Sequence, residues 1–324
     1  ASSAASDVYK RQVHGSIGAS SSFPRPLSEG MTGVFVEVTV LGNAQDGGYP
    51  QVGCMKECCA KARVDSTLSR MPVSLGLKGK DGSTHMIEAS RMMSEQFSLW
   101  SSLGSLDWPP SSFSLTHAHL GHIDGLGLLG REAMGLSGIK VHCSESVSSL
   151  IQKTPSWEIM INQGVIELNT WNPTEPFEPS EGCGFTITAI PIPHRSELSD
   201  NHALIIRGEE RSLLFMPDQD SWSKTLVKDL DILEWLRSMD IDIAFIDGTF
   251  WDHSEISHRD VAEIPHPTVV DTLSRLGKKS DSAPEIHFTH LNHTNPLLDN
   301  GSLQSEELVS MGWEICKQGS IFYL

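Results

Sequence analysis

An α/β protein, with its strands buried between helical layers, is the fold class this sequence predicts, and three observations predict it. Short apolar, β-branched runs alternate with helix-like segments from Val34 to the last residue. The residues best suited to chemistry, His117, His194, Asp218, Asp247 and His290, each follow one of those runs. Strand ends converge on one edge of a sheet, where α/β folds keep their sites. The chain has 324 residues, 39% of them hydrophobic and 20% charged, the composition of a globular protein that buries a core without disulfides.

The elements follow in order. Residues 1–30, rich in Ser, Ala and Gly, have no periodicity and no apolar core of a secretory signal. They are expected to be disordered, as a transit remnant or an assembly scar, with one domain over residues 31–324. Val34–Gly42 alternates as a strand and breaks into the turn-rich NAQDGGYPQ. Further strand runs are FSLTH, IKVHCS, FTITAIPIPH, ALIIRG, SLLFMPD, IDIAFIDGTF, EIHFTHL and SIFYL. Between them, SWSKTLVKDLDILEWLRSM predicts one helix, with Leu226, Leu230, Leu233, Trp235 and Leu236 on its apolar face and Ser221 or Ser223 as its cap. GLGLLGREAMG, ESVSSLIQK, HPTVVDTLSRLG and SEELVSMG predict others.

Charge narrows the function. A net charge of −17 argues against a nucleic-acid partner, which needs clustered Lys and Arg. No apolar run approaches the ~20 residues that span a bilayer. Clustered cysteines in a chain of this size bind metal more often than they pair, which predicts a reducing compartment, the cytoplasm, or an organelle if the N-terminus is a transit remnant.

The most informative stretch is LTHAHLGHIDG, with His117, His119 and His122 within six residues. After a strand, alternation points His117 and His119 the same way, and the turn brings His122 back toward them. Three neutral imidazoles facing inward leave nitrogens unsatisfied unless a metal joins them. This motif resembles the H-x-H-x-D-H-x-x-G signature of the metallo-β-lactamase superfamily. PIPHRSE, LLFMPDQD and FTHLNHTNP supply His194, Asp218 and His290 in matching order. VLGNAQDGGYPQVGC and HLNHTNP are similar to the branch containing the PQQ-biosynthesis protein B family. The resemblance implies a four-layer αββα sandwich. It also implies a first metal on His117, His119 and His194, with Asp218 bridging to a second on His122 and His290.

One position departs from the signature: Gly121 stands where an aspartate ligand is expected. Two readings follow. His117, His119 and His194 with an open position suit zinc, whose water then ionises near neutral pH. Alternatively, His122, His290 and Asp218 form a two-histidine, one-carboxylate set suited to non-haem iron. That set matches the iron-dependent hydroxylation implied by the PQQ-biosynthesis resemblance.

GCMKECC places Cys54, Cys58 and Cys59 together, either as small buried hydrophobes or as part of a structural zinc site needing four N/S ligands. His293 is the candidate fourth. A similar three-cysteine, one-histidine site accompanies cyclic phosphodiesterases of the PhnP type. Their spacing is C-x-C-x-x-C, whereas this chain has Lys56 at the middle position and an extra Cys58.

Asp124, Asp200, Asp220 and Asp247 are expected near the site as hydrogen-bonding partners or proton carriers, although Asp124 points elsewhere if a helix starts there. Glu263 and His266 open an expected helix, either capping it or touching substrate. Arg131 and Glu132 fall on an expected helix behind the histidines, and the DGG and GYPQ turns receive a structural role. His85, His142, His202, His253, His258 and His287 receive none. The resulting expectation is a hydrolase in which a metal-bound hydroxide attacks an ester, lactone or phosphodiester, with Asp218 or Asp247 handling the proton. The alternative is an iron-dependent oxygenase acting on a small or peptide-derived aromatic substrate, and the third is a non-catalytic metal-binding protein.

Overall fold

Strand alternation, carried through two sheets, builds four layers. The computed structural model describes residues 35–227, 229–256 and 264–324. The segment 1–30, Glu263 and His258 lie outside the described residues.

Seven strands form the first sheet: β1 (Glu37–Gly42), β2 (Ser74–Lys78), β3 (Thr84–Ile87), β4 (Ser112–Ser114), β5 (Ile139–Cys143), β6 (Ile166–Thr170) and β14 (Ile321–Tyr323). The second holds β7 (Pro176–Phe177), β8 (Thr186–Pro191), β9 (His202–Arg207), β10 (Ser212–Met216), β11 (Ile243–Asp247), β12 (Glu285–Thr289) and β13 (Glu314–Ile315). Their orders are β14-β1-β2-β3-β4-β5-β6 and β13-β12-β11-β10-β9-β8-β7. Both sheets are mixed. β3 to β6 run parallel in one, and β10 to β13 in the other.

β11 shows how the layers arise. Ile243 and Phe245 enter the cluster between the sheets, against Val38, Leu75 and Leu77 of the first sheet. Ala244 and Ile246 face the opposite way, against the helices. A strand buried on both faces reads as a continuous apolar run, which is why IDIAFID was legible. Each fully buried Leu, Ile or Phe contributes roughly 1.5–3 kcal/mol.

The helices are α1 (Ala60–Val64), α2 (Met93–Ser102), α3 (Leu120–Ile123), α4 (Glu145–Lys153), α5 (Pro155–Asn162), α6 (Trp222–Thr225), α7 (Ile232–Ser238), α8 (Val269–Leu276) and α9 (Leu303–Ser310). α2, α4 and α5 cover the first sheet with Phe97, Trp100, Val147, Ile151 and Trp157. α6 to α9 cover the second with Trp222, Trp235, Leu236, Leu273 and Leu308. Gly76 of β2 lets α2 pack close, because a Cβ there would meet the Trp100 indole at 2.4 Å.

Three local expectations are corrected. The helix expected from Ser221 to Met239 is two helices: Asp231 and Glu234 form a capping box that starts α7 afresh. Ser221 precedes α6 without a side-chain cap. GLGLLGREAMG is a 3-10 turn over Asp124–Leu129 followed by turns, so Arg131 and Glu132 sit exposed on no helix. His266 opens no helix; Thr268 caps α8 by accepting from the Asp271 amide. No helix among the described residues is long and apolar enough to cross a membrane.

Candidate metal centre

β4 ends at Ser114, and the chain continues extended through Leu115, whose amide still bonds the His142 carbonyl of β5 at 3.0 Å. His119 keeps extended backbone at the N-cap of α3. The single turn of α3 then returns His122 to the same side. Ring centroids lie 4.5 Å apart for His117 and His119, and 4.3 Å for His117 and His122. His194, three residues beyond β8, brings its ring 5.6 Å from His117 and 5.1 Å from His119. His290, just past β12, lies 5.5 Å from His122. It adopts φ 60°, a left-handed conformation uncommon for a residue with a Cβ and frequent at functional sites. Asp218, beyond β10, is 3.2 Å from His122, 3.6 Å from His194 and 3.5 Å from His290.

The same device orients two of the rings. The Thr116 hydroxyl donates to the buried Glu88 carboxylate at 2.5 Å, because a carboxylate only accepts. The oxygen is therefore left to accept from Nδ1–H of His117 at 2.9 Å. Thr249 likewise donates to Asp247 at 2.7 Å and accepts from Nδ1–H of His290 at 2.9 Å. Each relay leaves Nε2 as the free nitrogen, the arrangement a metal-binding imidazole needs. Glu88 also lies 3.2 Å from Nδ1 of His122.

Electrostatics follow from burial and proximity. Burial, reinforced by His122, drives the His117 pKa well below its ordinary value, and burial lowers His194 to about 4. For His122 burial works against charge, but Glu88, Asp218 and Asp46 outweigh it and hold the pKa well above normal. Asp218 stays ionised despite burial, because His290, His122 and His117 surround it. Nε2 of His117, His194 and His290 and Oδ2 of Asp218 are buried and find no hydrogen-bond partner among the described residues. Leaving such atoms unpaired costs about 1–3 kcal/mol each. Imidazole nitrogens and carboxylate oxygens that converge unpaired fit a metal cation. His117, His119 and His194 form one set whose ligand atoms lie within 4.8 Å of one another, and His117, His122 and Asp218 another.

Asp220 is placed as expected, 3.5 Å from His194 and bonded to Lys224 at 2.6 Å. Asp124 and Asp200 are not. Asp124 pairs with Arg91 at 2.7 Å, because the turn after α3 directs it away. Asp200 accepts from the hydroxyls of Ser144 and Ser146 at the start of α4. Asp247 reaches the cluster through other residues: it accepts from Gln219 N, from both Thr249 donors and from Nδ1–H of His266 at 2.7 Å.

Asp46 escaped the sequence reading of the site, and His266 was read there only as a helix cap or a substrate contact. His266 is buried with its ring 5.3 Å from His194 and 5.8 Å from His290. Although burial opposes it, Asp247 raises the His266 pKa. Asp46, in the turn given only a structural role, has Oδ1 3.4 Å from His122 and 3.5 Å from His290. Its signal was an acid in a glycine turn just after a strand. A cleft of about 440 Å3 reaches Asp46, with Lys56, Arg91, Phe250 and Asn292 among its walls.

Cys54, Cys58, Cys59 and His293 do come together. Sγ of Cys58 and Cys59 lie 3.5 and 3.4 Å from Nδ1 of His293, and Sγ of Cys54 lies 3.8 Å from that of Cys58. Burial and the two neighbouring thiols push Cys58 up to about 12, whereas Cys54, despite its desolvation, is lowered by hydrogen bonds from the Lys56 backbone and the other two thiols. Three sulfurs and one nitrogen are a structural-zinc donor set.

Residues 113–291 match the beta-lactamase superfamily domain. The coenzyme PQQ synthesis protein B of Xanthomonas euvesicatoria pv. vesicatoria (strain 85-10) is 25% identical over 320 residues, covering 88% of this chain and 98% of that protein. The structure of zinc-bound PqqB from Methylobacterium extorquens is similar with a TM-score of 0.70 at 18% identity, over 89% of this chain and all of that one. A diphosphatase from the PhnP family gives 0.63 at 18% identity, over 89% of this chain and 97% of that one.

Proposed function

Because this chain belongs to the beta-lactamase superfamily, we propose that it is a metal-dependent hydrolase acting on an anionic small molecule, with a phosphodiester as the bond cleaved. The observation that carries this reading is the convergence of unpaired buried donors from His117, His194, Asp218 and His290 beside the His266–Asp247 pair. His117, His119 and His194 would hold one ion, and His122 and His290 would face a second across Asp218. A bound zinc supplies Lewis acidity and lowers the pKa of water to about 7.

The chain's own residues do the rest. Lys56 and Arg91 attract the anionic substrate into the cleft. Glu88 with Thr116, and Asp247 with Thr249, hold His117 and His290 in one tautomer. The proton lost by the attacking water leaves to solvent, and Asp218, held ionised by the histidines around it, orients that water. His266, kept protonated by Asp247, delivers a proton to the departing oxygen, and removing such an acid typically costs 10²–10⁴-fold in rate. Six free cysteines and the bacterial relatives support a reducing, cytoplasmic setting. Chelator-treated protein should lose hydrolysis of bis(p-nitrophenyl) phosphate and regain it with zinc; turnover that survives full metal removal would refute the reading.

A second reading rests on His122, His290 and Asp218, the donor set of non-haem iron oxygenases, in line with the PQQ-synthesis relatives. It requires oxygen consumption coupled to product formation, and anaerobic turnover excludes it.

A further inference from the structure

Gly121 removes a carboxylate from the histidine motif, and the structure returns one to the same place from elsewhere in the chain. An ideal Cβ built on Gly121 would lie 2.3 Å from both Cγ and Oδ1 of Asp46. The Asp46 carboxylate therefore fills the space that a side chain at residue 121 would take. Two backbone bonds hold its loop there: Gln45 N–H donates to the Leu291 carbonyl at 2.9 Å, and Leu291 N–H to that of Asn43 at 2.8 Å. Asp46 is thus fixed beside the residue that follows His290.

The neighbouring groups call for a cation. Nδ1–H of His290 is committed to Thr249, so Nε2 presents its lone pair. It faces Oδ1 of Asp46 and Oδ2 of Asp218, each at 3.5 Å, and finds no hydrogen-bond partner among the described residues. A lone pair facing two anionic oxygens is repulsive until a positive ion sits among them. Ligand atoms of Asp46, His122 and His290 lie within 4.8 Å of one another.

We propose that Asp46, His122 and His290 bind a divalent cation, with Asp46 standing in for the aspartate absent at Gly121. This rests on reading the histidine cluster as a metal centre, and it makes that centre binuclear. The second position then carries two carboxylates with Asp218, a hydrolytic site more than an iron triad.

The test is zinc content of the full chain, stripped with chelator, reloaded with zinc and freed of excess. The wild type should retain one ion at each of the cysteine cluster, the His117 set and the Asp46 set. Asp46→Asn, which keeps the side chain's shape, should lose one ion per chain with unchanged thermal unfolding of the stripped form. The exchange Asp46→Gly with Gly121→Asp should regain it. An Asp46→Asn chain that keeps the wild-type zinc content overturns the assignment, as does a folded exchange variant that fails to regain the ion. A wild type whose only zinc disappears with Cys58→Ser overturns the metal-centre reading itself, and the assignment falls with it.

Discussion

Replacing Asp247 with Asn separates the proton-donor role of His266 from mere support of the fold. Asp247 is fully buried, and its two oxygens accept four donors: Gln219 N–H, Thr249 N–H, Thr249 O–H and Nδ1–H of His266. Asn offers one oxygen. The Thr249 hydroxyl can rotate and the imidazole can change tautomer, but one backbone N–H is left facing an amide NH2. An orphaned buried donor costs about 1–3 kcal/mol, and losing a hydrogen bond to a charged group about 1.5–3. Urea unfolding should therefore show a loss of roughly 3–5 kcal/mol, the range for breaking a buried pair. Without its anion His266 also loses the group that raises its pKa, so the alkaline limb of the rate profile moves to lower pH. Cleavage of a diester with an alkyl leaving group should fall ~10²–10⁴-fold. Release of p-nitrophenolate, which needs no proton, should change far less. Equal losses on both substrates would refute the proton-donor role.

Other outcomes follow from the same geometry. Cys58→Ser should release one zinc per chain and lower the melting temperature of the loaded protein, measured by elemental analysis and calorimetry; unchanged zinc would remove the structural site. Gly121→Ala places a methyl within 2.3 Å of the Asp46 carboxylate and displaces it toward solvent. Zinc content should drop by one ion, while the stripped form, in which the displaced Asp46 carboxylate is solvated, unfolds no earlier; full zinc retention would count against the crowding. His85, held by hydroxyls of Ser83 and Ser112, has its pKa lowered to about 4 by burial. The fold thus binds fewer protons there than the unfolded chain, and stability drains away as pH falls from about 6.5 to about 4. His85→Gln should reduce the pH 7 to 4.5 loss in urea stability by roughly 2–3 kcal/mol; parallel curves for the two chains would refute it.

Most of the candidate site was legible because its residues obey local rules. His117, His119 and His122 are contiguous, and His194, Asp218 and His290 end apolar runs that are strands in the structure. Asp46 was not legible, because its partners are distant in sequence and only the tie between Gln45 and Leu291 brings them near. Asp124 misled for the converse reason: closeness in sequence put it across a helical turn, with Arg91 waiting for it. The break before α7 was hidden by leucines that keep helical spacing across it, although Asp231 and Glu234 spelled a capping box. β2 and β3 went unread because Gly76 and polar residues interrupt their apolar pattern.

The turn HLNHTNP carries a ligand candidate for each centre, His290 for one and His293 for the other. Their counterparts, Asp46 and the three cysteines, lie near the opposite end of the domain. During synthesis the early loop must therefore wait, its thiols exposed, until residues 290–293 emerge. Both candidate centres thus depend on the same late turn, and β14, later still in the chain, pairs with β1. Under the metal-centre reading, a chain halted before residue 290 would lack one donor for each site.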